Sequence, residues 1–66
     1  MLNATQYLHD CLTSLKEGDP ASKVYRCGYP DNTNSDLHSN QLVYPDDTFV
    51  YIDKATNTVS NVQWSH

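Results

Sequence analysis

The chain reads as a single α+β domain over residues 1–66, an N-terminal helix packed on a three- to four-stranded antiparallel sheet in a two-layer sandwich. Three observations predict this. Residues 4–15 repeat their apolar positions at the period of a helix. From about residue 23 the repeat drops to two, the period of a strand. Pro30, Pro45 and the polar residues around them then divide the second part into short runs. A lone amphipathic helix must cover its stripe, and a sheet face is what this chain offers it.

The helix is expected over about residues 4–17. Ala4, Tyr7, Leu8, Cys11, Leu12 and Leu15 share a stripe about 140° wide, with His9, Asp10, Thr13, Ser14 and Glu17 outside it. Asn3 suits the N-cap, Gln6 can return a hydrogen bond to it, and Leu2 and Tyr7 stand at the positions of a hydrophobic staple. Gly18 stops the helix and Pro20 prevents its resumption.

The first strand is expected at about 23–29, with Tyr25, Cys27 and Tyr29 on one face and Pro30 closing it. Residues 31–40 read as a polar loop with almost nothing to bury, of a length that often serves binding. A short strand at about 41–44 ends at Pro45, and Asp46-Asp47 make a turn. The strand at about 48–53 is the strongest, built from β-branched and aromatic residues. Residues 53–57 form a hairpin turn in which Asn57 tolerates the left-handed conformation. The returning strand at about 58–64 places Ser60, Val62 and Trp64 on one face.

At 66 residues the margin of stability is thin, because such a domain buries only about 60% of its unfolded surface. A partner surface or self-pairing would help it. Seven aromatic residues among Val, Ile and Leu make the composition globular rather than disordered. No apolar run reaches the roughly 18–20 residues of a membrane span, and residues 1–6 lack the pattern of a signal peptide. The expectation is a cytoplasmic protein without a membrane partner, in the host cell if a phage encodes it. In that setting Cys11 and Cys27 read as two buried thiols. The alternative, a bridge across about 16 residues, would contribute roughly 3 kcal/mol.

Catalysis finds no support. His9-Asp10-Cys11 lie about 100° apart on a helix, so Cys11 faces the core while the other two face solvent. His38 with Asp36, or His66, lacks the spacing that makes a metal motif specific, so neither a metal nor another cofactor is expected. Direct nucleic-acid binding is disfavoured, since Lys16, Lys23, Arg26 and Lys54 stand against eight carboxylates.

Two features favour binding another protein. Asp31, Asp36, Asp46, Asp47 and Asp53 fall in a stretch from Cys27 to Asp53 that holds no Lys or Arg. Such a run attracts a basic partner, although Asp is also simply a good turn former. The rings of Tyr25, Tyr29, Tyr44, Phe49, Tyr51 and Trp64 exceed what one sheet face can bury against a short helix. Tyr44, Phe49 and Tyr51 are the expected exposed patch, against the alternative of an ordinary aromatic core. The expectation is therefore a small acidic non-enzymatic domain that binds a protein with a basic surface. A phage or mobile-element accessory protein acting on a host protein, itself a nucleic-acid binder in one version, has this character. The alternative is a structural subunit that self-associates through sheet edges, using the proline-free strand Thr48–Ile52.

Overall fold

The computed structural model describes residues 4–65, so the expected cap at Asn3, the staple at Leu2 and His66 lie outside the described residues. Two helices precede four strands: α1 (Ala4–Thr13), α2 (Ala21–Cys27), β1 (Asn32–Ser35), β2 (Ser39–Val43), β3 (Phe49–Asp53) and β4 (Thr58–Gln63). The strands form one antiparallel sheet in the order β1-β2-β3-β4. The α+β class and the helix-on-sheet arrangement stand as the sequence predicts.

Helix α1 stops four residues before Glu17, and its own side chains explain why. Ser14 Oγ donates to the Cys11 carbonyl at 2.7 Å, the acceptor that the Leu15 N–H would need, and the Leu15 N–H bonds the Leu12 carbonyl at 3.2 Å instead. Asp19 Oδ2 then accepts the Lys16 N–H at 2.8 Å and fixes the exit. The stripe is inward only from Leu8 onward: Leu12 and Leu15 are buried, Leu8 and Cys11 pack against them, and Ala4 and Tyr7 are exposed.

The segment expected as a strand at 23–29 is helical. Its buried residues are Ala21, Val24 and Cys27, a spacing of three that a helix presents on one side. Tyr25, Cys27 and Tyr29 happen to alternate in the sequence, but only Cys27 is buried. Gly28 ends α2 at φ 148°, ψ 171°, a conformation essentially restricted to glycine. The change of element also overturns the expected thiols, because Cys11 and Cys27 are joined in a disulfide across a sequence separation of 16. The bridge ties α1 to α2.

Strand β1 arises inside the expected polar loop. All four residues are exposed, so burial gives no signal for it. It forms by backbone pairing through a tight turn, in which Asp36 N–H donates to the Ser39 carbonyl at 2.8 Å. Between β3 and β4 the register shifts: Tyr51 faces Asn61 while Ile52 faces Val59, leaving Ser60 as the extra residue of a bulge. The bulge turns both Val59 and Val62 to the core, whereas the simple alternation had grouped Val62 with Ser60, which is exposed. The hairpin at 53–57 forms as expected, with Asn57 at φ 57° and its N–H bonded to the Asp53 carbonyl at 2.8 Å.

The core lies between the helices and one sheet face. Leu12, Leu15, Ala21, Val24 and Cys27 meet Leu42, Tyr44, Val50, Ile52 and Val59. Residues 18–21 seal one border by pairing with the start of β4, through Gly18 N–H to Val59 O at 2.8 Å and Val59 N–H to Asp19 O at 2.7 Å. Among the described residues no helix is long and apolar enough to cross a membrane.

Candidate functional site

Strand alternation splits the sheet into two chemically distinct faces. Leu42, Val50 and Ile52 point into the core. Val43, Phe49, Tyr51 and Asp53 point the other way, where they are half-buried. The cross-strand register sets Asn32, Val43, Phe49 and Gln63 in one row, and Asn34, Gln41, Tyr51 and Asn61 in the next. Hydrogen bonds fix the second row: Asn34 Nδ2 donates to Gln41 Oε1 at 3.0 Å, and Gln41 Nε2 to the Tyr51 hydroxyl at 3.1 Å. A pre-ordered aromatic and amide surface results. Its side chains lose little further entropy if a partner covers them.

Tyr44 does not belong to that surface. It is only 1% exposed and shares the core-facing parity of Leu42, which the Leu42–Val50 pairing turns inward. Its hydroxyl donates to the Gly28 carbonyl at 2.9 Å, so the phenol bridges β2 to the end of α2. Burial, with smaller contributions from Tyr25 and Asp46, pushes its pKa up to about 12. Of the expected patch, Phe49 and Tyr51 remain at the surface. The most exposed large apolar side chains are instead Tyr29 and Leu37, at 81% and 79%.

The five aspartates also separate. Asp46 turns inward, its side chain 4% exposed, and accepts from His9 Nδ1 at 2.8 Å, Thr48 Oγ1 at 2.7 Å and Thr48 N–H at 3.2 Å. Burial opposes its ionisation, yet the bonds from Thr48 and His9 outweigh that cost and hold the carboxyl below the ordinary aspartate value. His9, expected in solvent, is therefore a half-buried clasp between α1 and the β2–β3 turn. Thr48 is wholly buried, so this trio offers no reachable nucleophile.

The other four aspartates mark the sheet's two ends. Asp31, before β1, and Asp47, in the β2–β3 turn, lie at one end; Asp36, after β1, and Asp53, closing β3, lie at the other. In residues 1–28 three cations balance three carboxylates, while residues 29–66 hold five aspartates against Lys54 alone. The whole net charge of −4 thus belongs to the sheet half.

Depressions open to solvent lie elsewhere on the described surface. One, lined by Leu37, His38, Asp53, Lys54 and Ala55, has a volume of about 640 Å³. Another, of about 410 Å³, lies beside α2 between Ser22, Tyr25, Arg26 and Tyr29, where the two tyrosine rings sit 5.6 Å apart. Neither brings an acid, a base and a nucleophile together out of water. Among the described residues no three His, Cys, Asp or Glu side chains converge as metal ligands.

The pattern of charge was legible in the sequence, as was the outward pair Phe49 and Tyr51. The His9–Asp46 clasp was not, because its partners are 37 residues apart and no local rule joins them. Comparison with family models, curated proteins and solved structures finds no match for this chain.

Proposed function

We propose that this domain is a non-enzymatic binding module whose sheet half engages a protein with a basic surface. One observation carries the reading: the sheet face turned away from the core, with Val43, Phe49 and Tyr51 half-buried on it, is bracketed at both ends by aspartates, in the half of the chain that holds all the net charge. Aromatic groups at the centre would supply contact area, and the flanking carboxylates would steer a cationic surface towards it. An accessory or inhibitory action on the partner follows naturally, since covering a basic surface competes with whatever else that surface binds.

The Cys11–Cys27 bridge bears on where this happens. Disulfides persist in oxidising surroundings, so it favours such a compartment over the cytoplasm.

The test is capture from cell and secreted fractions without reductant, at low and at physiological salt. The reading expects a basic protein whose capture weakens as salt rises. Asp47→Lys with Asp53→Lys, or Tyr51→Ser, should each lower the affinity at least about tenfold, the scale of a central interface residue. Capture of nothing at low salt, or a partner indifferent to all these changes, refutes it.

A further inference from the structure

We infer that the free edge of β1 pairs antiparallel with β1 of a second copy of this chain, making one eight-stranded sheet about a two-fold axis. The sheet has two edges, and they are treated differently. The β4 edge is covered at its start by residues 18–21 and distorted by the bulge at Ser60. The β1 edge carries Asn32-Thr33-Asn34-Ser35, with no proline and no Lys or Arg, and all four are exposed among the described residues. Protection of that kind is what sheets use to prevent edge-to-edge association, and β1 lacks it.

The backbone of β1 is set for pairing. Asp36 N–H bonds to Ser39 O, and the alternation of an antiparallel ladder then directs Asn34 towards β2 and Thr33 and Ser35 outward. The Thr33 N–H accordingly makes its bond off the ladder, to its own neighbour Asn32 Oδ1 at 2.9 Å, a surface acceptor that can rotate away.

The segment is also self-complementary, as a two-fold contact requires. With Thr33 opposite Ser35 of the partner copy, Asn34 faces its own symmetry mate, and hydroxyls and amides pair across the strands. Beyond Asn32 the alternation breaks, because the Asp31 N–H also turns to β2 and bonds the Val43 carbonyl at 2.8 Å. The two most exposed apolar side chains, Tyr29 and Leu37, flank β1 on opposite sides, so each end of the shared ladder joins Leu37 of one copy to the Tyr29–Asp31 segment of the other. Charge agrees. Lys54 Nζ rests on Ser35 Oγ at 2.7 Å, and Ser35 opposite Thr33 brings it to the end of the shared ladder at which Asp31 of the second copy stands. Lys54 is the sole cation of the sheet half, and both symmetry-related Asp31–Lys54 pairs form together.

A contact this small is expected to be weak, with half-dimerisation between about 10 μM and 1 mM. Sedimentation of the oxidised full chain across that range should show a monomer–dimer equilibrium. Thr33→Pro removes the outward N–H without touching the β1–β2 ladder, and should weaken association at least tenfold with an unchanged circular dichroism spectrum. Asp31→Lys should weaken it severalfold, and Lys54→Asp added to Asp31→Lys should restore it, a rescue that a merely structural role of either residue would not give. Should Thr33→Pro unfold, slowed exchange of the Thr33 and Ser35 amides on concentrating the wild type reads the same pairing. A strict monomer at 1 mM, or a dimer indifferent to Thr33→Pro and to the charge swap, overturns the inference. The monomeric variant would still be expected to capture a basic partner, so the two readings fail separately.

Discussion

Removing the Cys11–Cys27 bridge should cost this domain a large part of its stability. The linked positions are 16 residues apart, and closing a loop of that length in the unfolded chain costs about 10 cal/mol/K, or ~3 kcal/mol at 25 °C. Cys27 is buried in the core cluster, while Cys11 packs at the border of the same cluster. Replacing both by alanine therefore adds little cavity cost to the entropic one. For a domain of this size a loss of ~3 kcal/mol corresponds to a fall in Tm of roughly 12–24 °C. The assay is thermal and urea unfolding followed by circular dichroism, on the oxidised protein, the same protein with reductant, and the Cys11→Ala/Cys27→Ala double variant. The two bridge-free forms should agree within about 1 kcal/mol, since both lose the same constraint on the unfolded state. If the reduced protein melts within ~2 °C of the oxidised one, the bridge is not a structural staple. The account of α2 as a helix pinned to α1 then fails with it.

Gly28→Ala should destabilise by about 1–3 kcal/mol, because φ 148° disfavours any side chain and the new Cβ would lie 3.3 Å from Leu8 Cδ1; urea unfolding measures it. Tyr44→Phe should cost ~1 kcal/mol by leaving the Gly28 carbonyl unpaired. In the wild type, absorbance titration should find one tyrosine ionising near pH 12. Its folded pKa exceeds the ordinary value of about 10, so its contribution is complete below that value and lost as pH rises towards 12. Asp46 has the opposite sign. Its carboxyl is held low by Thr48 and His9 against burial, so its stabilisation is present above the ordinary aspartate value and lost as pH falls through the folded one. Asp46→Asn should flatten the acid limb of a stability-versus-pH curve, and an unchanged limb would remove Asp46 from the account of acid unfolding.

How far the sequence could be read depended on where each signal lived. The strand around Val50 and Ile52 declares itself through a run of five β-branched and aromatic residues, Thr48–Ile52, and the 53–57 turn through its polar residues and Asn57. The start of α1 and its inward Leu12 follow from spacing alone. The segment from Ala21 to Cys27 misled because its apolar residues satisfy two periods at once. Tyr25, Cys27 and Tyr29 alternate, while Ala21, Val24 and Cys27 recur every third residue, and only packing chooses between them. Strand β1 carries no apolar residue at all, so nothing in its composition marks it.

The candidate surface divides along the same line. Local alternation was enough to put Phe49 and Tyr51 together, but the side of the sheet on which Tyr44 falls depends on the Leu42–Val50 register. The strand Thr48–Ile52, expected to offer an edge, becomes the interior β3, because β2 and β4 close on both sides of it. By itself the sequence determined the fold class, the turns at 46–47 and 53–57 and the acidity of the second half. Each of these depends on residues within a few positions of one another, or on composition. The tertiary structure decided the second helix, the disulfide, the inward Tyr44, the His9–Asp46 clasp and the bare edge at β1. These depend on contacts between distant segments, whose energies no local period encodes.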